Sequence, residues 1–343
     1  MATSIATATD SWAVVPISAD PAFWQVFARA GNSGTWKLVT PPGVAINGGI
    51  IASVNGANGL TVAVRPSQDL TFSPLAATAN GGASWSTGGP IDAPVAASPD
   101  AFAADGSHLA ALLSDGTIET SSDAGTTWAT LAKPGAIAAS PAAKGCDGAV
   151  RVTSISFGIT SSAEVVAGGT CGTSGTSAVF SYSAGAGWQR LTLPVPGQVV
   201  RLTGGMTLVQ GKSGIAALWR GFGWYAYAPL TATPQAAATN WTQSSPLPFS
   251  GSITASGTLQ NAGAWVLLPG GRAATISAFG QEQWQLLPPV PSHTTVLASG
   301  PDGAVDALAV SGDTLTVWRL LPKATVWSKA EEINVPIQNG SSS

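Results

Sequence analysis

Two cysteines, Cys146 and Cys171, carry the most constrained chemistry in the chain, and each lies beside glycine. A pair flanking two neighbouring strands suits a disulfide that clamps them. The other reading is two unrelated buried thiols. There is no Cys-x-x-Cys, and His108 and His293 stand alone and far apart, so neither a zinc site nor any other metal is expected. Asp92, Asp100, Asp105, Asp302 and Asp306 are acids by count, and a two-carboxylate glycosidase needs two of them about 5–9 Å apart. Most lie in Asp-Gly or Pro-Asp turns, where a local turn role is the simpler reading. The tyrosines Tyr182, Tyr225 and Tyr227 and the glutamates Glu119, Glu164, Glu282, Glu331 and Glu332 give no legible nucleophile–base pair. The densest aromatic run, Leu218 to Tyr227, holds Trp219, Arg220, Trp224, Tyr225 and Tyr227. It suits either a carbohydrate-stacking surface or packing between sheets. No cofactor is expected.

The elements that would position these residues follow from composition. The chain has 343 residues, 9% charged and 45% hydrophobic, with 41 Gly and 24 Pro. Turns are over-supplied and charge is scarce relative to an average of about 25% charged. Fourteen Lys plus Arg against seventeen Asp plus Glu leave no basic field for nucleic acid or anionic lipid. No apolar run reaches the ~18 residues of a membrane-spanning helix. Met1 to Ser4 are small and polar, with neither a basic segment nor an apolar one behind them. The cysteine pair and a low-charge composition rich in Ser, Thr, Gly and Ala favour an extracytoplasmic domain whose leader is absent from this chain. A cytosolic protein is the alternative, and tethering through a removed N-terminal segment stays open. Asn240-Trp241-Thr242 is a glycosylation sequon in form only.

A repeat organises the whole chain. Trp36, Trp85, Trp128, Trp188, Trp241, Trp284 and Trp327 recur at spacings of 49, 43, 60, 53, 43 and 43. Before Trp128 come Leu109–Leu113, the turn Ser114-Asp115-Gly116, and Thr117–Thr120; similar strand–turn–strand patterns precede Trp284 and Trp327. An earlier strand opens most units, and Pro-rich connectors close them. A four-stranded sheet of about 45 residues cannot bury both faces alone, and a radial array does so face against face. The expectation is all-β: a seven-bladed propeller of four-stranded antiparallel blades, monomeric, in one domain over 1–338. The approximate blades are 1–45, 46–92, 93–137, 138–198, 199–250, 251–292 and 293–338, followed by a polar tail, 339–343.

Ser121-x-Asp123-x-Gly125-x-Thr127-Trp128 resembles the Asp box of sialidase-type BNR-repeat propellers. The repeat covers the chain, but only this copy matches in full. In Thr78 to Trp85, Asn80 replaces the aspartate, and in Ser181 to Trp188 Ser183 does. The resemblance implies a hairpin between the third and fourth strands of a blade. Asp123 suits a backbone acceptor in that turn more than a catalytic or metal-binding group. Gly125 suits a positive-φ position, and Trp128 a plate between blades.

Sialidases of that fold bind the substrate carboxylate with three arginines, the first in Arg-Ile-Pro. Here Arg65-Pro66 is the nearest segment and lacks the isoleucine. Arg65, Arg151 and Arg201 lie on or beside early-blade strands and could converge on the axis. Solvated strand ends or hydrogen bonds between blades are the competing reading. The functional expectation is a non-catalytic propeller binding a protein, peptide or glycan through loops at one end. A sialidase-like glycoside hydrolase is the alternative. An assembly factor for a membrane complex, as some BNR-repeat proteins are, ranks third because charge is scarce.

Overall fold

We analysed a computed structural model of the chain. It describes residues 2–7, 9–17, 23–31, 34–42, 49–55, 59–65, 72–92, 99–157, 164–173, 175–191, 206–211, 214–219, 224–229, 242–245, 253–260, 263–276 and 283–335. For 206–229, for 242 and 243, and for residues 72, 73 and 92, only the backbone is described. The polar tail, Arg201, Arg220, Trp241 and Asn240 lie outside the described residues.

Every described sheet of four is an antiparallel meander. In the first repeat it is Thr3–Ala6, Ser11–Pro16, Trp24–Arg29 and Lys37–Leu38. In the second it is Gly49–Val54, Leu60–Arg65, Leu75–Thr78 and Ser86–Thr87, with a small ribbon pairing Phe72–Ser73 and Ile91–Asp92. In the third it is Pro99–Asp105, His108–Leu113, Ile118–Ser121 and Ala129–Ala132. In the fourth it is Val150–Phe157, Val165–Cys171, Thr176–Ser183 and Gly187–Leu191. The sixth uses Ala255–Leu259, Gly263–Leu268, Arg272–Ile276 and Gln285–Leu286. The seventh uses Thr294–Ser299, Val305–Ser311, Thr314–Leu320 and Ser328–Asn334. No helix among the described residues is long and apolar enough to cross a membrane.

The second strands are buried on both faces, as in His108–Leu113 and Gly263–Leu268. Sheets sandwiched between sheets require this, and it makes those strands near-continuous apolar runs. The outer strands are largely exposed, and in the first, second and sixth repeats they are two residues long. Two of the repeat tryptophans join neighbours in the same way. Trp85 Nε1 donates to Val39 O of the preceding repeat at 2.8 Å, and Trp327 Nε1 donates to Pro288 O at 3.3 Å. A large apolar plate with one donor at its edge can thus cover a neighbour and keep its N–H satisfied.

Seven equivalent blades are not what the structure carries. It supports a propeller of six blades of four antiparallel strands, packed side chain to side chain. The fifth repeat is a meander described by its backbone alone, Met206–Gly211, Gly214–Trp219, Trp224–Pro229 and Thr242–Gln243, whose first strand lies against Val150–Phe157 and Val165–Cys171 of the fourth repeat. The wedges are also unequal where the first, sixth and seventh repeats meet. In a regular ring of seven, the sheet of the seventh would hold the other two apart. Instead Thr3 Oγ1 donates to Ser256 O at 2.9 Å, Ser4 Oγ to Thr258 O at 3.2 Å, and Trp265 Nε1 to Ser4 Oγ at 2.7 Å. One core cluster spans all three repeats, including Phe27, Trp265 and Leu308. Tryptophan spacing counts repeats in the sequence, whereas packing decides how many wedges a ring holds.

The seam between the first and last sheets is polar at its centre. Asp306, wholly buried, takes Arg319 Nε and Nη2 at 2.8 and 2.9 Å and Trp36 Nε1 at 2.9 Å. Trp36 N donates to Glu331 Oε2 at 2.8 Å. Arg29, also wholly buried, donates to Ser299 O at 2.7 Å and to Gly31 O. Burial pulls the Arg29 guanidinium below its ordinary pKa, with the Asp306 charge acting against that.

Candidate functional site

The Ser121–Trp128 turn is a closed hydrogen-bonding unit. Asp123 Oδ1 accepts from Ser121 Oγ at 2.8 Å and Thr127 N at 2.9 Å; its Oδ2 accepts from Thr127 Oγ1 at 2.6 Å. The two Thr127 bonds, then Ser121, hold the exposed Asp123 carboxyl down at about 2. Gly125 has φ +85°, and a Cβ there would meet Leu75 Cδ1 at 2.7 Å. Trp128 Nε1 turns back to Gly125 O at 3.1 Å. The second repeat builds the same turn with an amide. Asn80 Oδ1 accepts from Thr78 Oγ1 at 2.9 Å and Ser84 N at 3.0 Å. A neutral side chain fills the role, so Asp123 acts as a local acceptor.

The turn lies at one end of the third sheet. The other end holds an open cleft of about 450 Å³ between the third and fourth repeats. Three local features converge there: the starts of Pro99–Asp105 and Val150–Phe157, the 114–117 turn, and the connection that follows Ala132. Leu113, Ile118, Ile137 and Val152 supply an aliphatic floor; Asp100, Asp115, Lys133 and Arg151 supply charge. Its volume is in the range of ligand sites, and its lining is more polar than apolar, which suits a polar or charged ligand.

The connection that walls the cleft is itself folded. Ala136 N bonds Lys133 O at 3.0 Å, Ala139 N bonds Gly135 O at 3.0 Å, and Pro141–Ala143 form one short 3₁₀ turn. Cys146 then forms a disulfide with Cys171, the end of the strand paired to Val150. The cysteines are 0% and 3% exposed, and Ile137 and Ala143 join the same core as Phe157 and Phe180. The bridge therefore fixes the wall to the sheet that carries Arg151.

The arginine candidates do not act alike. Arg65 donates from Nε to Pro99 O at 2.8 Å and from Nη2 to Asp100 Oδ1 at 2.9 Å. It ties the second repeat to the third and engages an acid of the cleft. Arg151 lines the cleft, while Arg201 and Arg220 lie outside the described residues. Trp219, Trp224, Tyr225 and Tyr227 sit on two paired backbone strands, with Trp219 opposite Trp224; their side chains lie outside the description. Of the acids counted in the sequence, Asp100 lines the cleft, Asp306 is buried in the seam, and Asp302 sits in a turn at φ +52°. Burial pushes the Glu164 carboxyl up, partly offset by a hydrogen bond from Ser181, but it precedes Val165 at the far end of its strand from Cys171. Among the described residues, no three His, Cys, Asp or Glu side chains group to hold a metal ion. Sequence reasoning passed over Lys133 and Asp115. The signal was the cysteine placed within an unusually long connection between two repeats.

The fold is thus of the β-propeller class. No protein-family model matches the chain, and no curated protein matches it. Solved structures do. The chain is similar to YCF48 bound to D1 peptide, at 16% identity and TM-score 0.51, over 82% of this chain and 81% of that one. It is similar to a xyloglucanase of family GH74 from Xanthomonas campestris, at 16% identity and TM-score 0.54, over 90% of this chain and 50% of that one. It is similar to a putative 6-phosphogluconolactonase from Bacteroides uniformis, at 9% identity and TM-score 0.55, over 95% and 97%. At these identities the likeness is one of fold.

Proposed function

We propose that this protein is a binding propeller that takes a peptide segment of a partner in the cleft between the third and fourth repeats. The observation that carries this reading is the cleft itself: aliphatic below, charged at the rim, and walled by a connection stapled in place by Cys146–Cys171. A preformed wall lowers the ordering cost of binding. The propeller similar in fold that is bound to D1 peptide supports a peptide ligand. The disulfide supports an oxidising, extracytoplasmic setting. The Ser121–Trp128 turn supports kinship with the Asp-box propellers.

The test is capture on paired arrays of immobilised peptides and glycans by the purified chain. Peptide capture that Ala138→Trp abolishes, by filling the cleft from its wall, is the expected result. Turnover of a fluorogenic sialoside that Arg65→Ala abolishes would overturn it in favour of a sialidase-like hydrolase. The engagement of Arg65 with Asp100 argues for the first outcome.

A further inference from the structure

We infer that this cleft recognises an acidic side chain of an extended peptide, held between Lys133 and Arg151. The inference rests on the peptide-binding reading and narrows it to a chemical class.

Four charged side chains line the cleft, and they divide by sign. Both acids are engaged. Asp100 pairs with Arg65 at 2.9 Å. Asp115 Oδ1 accepts from Thr117 N at 2.8 Å, and its Oδ2 accepts from Thr117 Oγ1 at 3.0 Å. Both cations are exposed, and among the described residues neither has an ion pair or a side-chain hydrogen bond. They come from separate elements. Arg151 is the second residue of Val150–Phe157, and Lys133 directly follows Ala129–Ala132. A protein of net charge −3 thus presents an unmatched positive pair over an aliphatic floor. A carboxylate entering there meets a planar fork on one side and an ammonium on the other, and breaks no existing ion pair.

The same lining selects among anions. No Trp, Tyr, Phe or His faces the cleft, so a sugar ring finds no plate to stack on. Two cations make a point of positive charge, whereas a nucleic acid needs a stripe. The aliphatic residues and the cations line one and the same cleft. In an extended segment, side chains two residues apart share a side. The recognised pattern is therefore an acidic residue two positions from Leu, Ile or Val.

The experiment uses the full chain on an array of immobilised eight-residue peptides that sample Glu, Lys, Ser and Leu at every position. The expected result is capture of peptides with Glu two positions from Leu. The double variant Lys133→Glu with Arg151→Glu should lose those peptides by about tenfold or more and gain peptides with Lys in place of Glu. Its thermal midpoint should match the parent, because both side chains are exposed. Lys37→Glu, on the first repeat, should change nothing. If capture shows no acidic preference yet still vanishes in Ala138→Trp, acid recognition falls and the peptide cleft stands. If the acidic preference survives the double reversal, the assignment to Lys133 and Arg151 falls. If no peptide is captured, or only sialylated or sulfated glycans are, both readings fall.

Discussion

Charged residues work in opposite ways at two places in this ring. At the seam of the first and last sheets, Asp306 and Arg29 are wholly buried, and Asp306 is saturated by Arg319 and Trp36. At the cleft, Lys133 and Arg151 are exposed over an apolar floor and without partners among the described residues. Burying charge is costly unless it is paired, so a buried network is strongly coupled to folding. Exposed cations add little to stability and remain available to a ligand. In a chain with so few charges, the presence of a partner separates a structural residue from a binding one.

The largest expected effect breaks the seam. Asp306→Ala leaves Arg319 with only its longer ion pair to Glu331 at 3.7 Å and Trp36 Nε1 without its acceptor, and should destabilise by about 3 kcal/mol. Denaturant unfolding measures this; a loss under about 1 kcal/mol would mean that apolar packing alone closes the ring. Replacing both Cys146 and Cys171 by Ala should cost about 3 kcal/mol through loop-closure entropy. It should also weaken peptide capture, because the cleft wall is released; capture at parental strength would detach the bridge from the site.

Gly125→Ala comes next. The residue holds φ +85°, and its new methyl would press on Leu75 Cδ1, so a cost above about 1 kcal/mol is expected in thermal unfolding. An acid titration of stability follows. The Asp123 carboxyl is depressed to about 2, so its contribution is present above about pH 4 and fades as pH falls toward 2. Asp123→Asn copies the Asn80 turn and should flatten that acid slope while sparing neutral-pH stability. The smallest effect should come from Lys133→Ala with Arg151→Ala, within about 0.5 kcal/mol of the parent. A larger loss would show that the cations brace the fold, and the contrast with the seam would fail.

The propeller class was legible because turn chemistry and a counted tryptophan repeat are local signals. The disulfide was legible because two cysteines allow one pairing. Blade number was not, since Trp241 keeps the spacing without showing how its repeat packs. The cleft was half legible. Arg151 stood among the candidates, but Lys133 is an ordinary lysine until its lack of a partner is seen in three dimensions. For Arg65 the sequence left convergence on the axis, a solvated strand end and bonding between blades open, because its partner Asp100 comes from the next repeat. Asp306 was one acid among several by count and is the buried centre of the seam.

Each described sheet of four takes its strands from one stretch of chain. In genetic terms, a segment of some 45 codons carries a whole wedge and leaves no orphan strand when copied or lost. The joint between wedges tolerates such events. The indoles of Trp85 and Trp327 bond a main-chain carbonyl, which any neighbour offers whatever its side chains. The seam has no such freedom, because Trp36 there seeks a particular carboxylate. An interior wedge can therefore be exchanged for another copy, while the two sheets that meet at Asp306 must be inherited together.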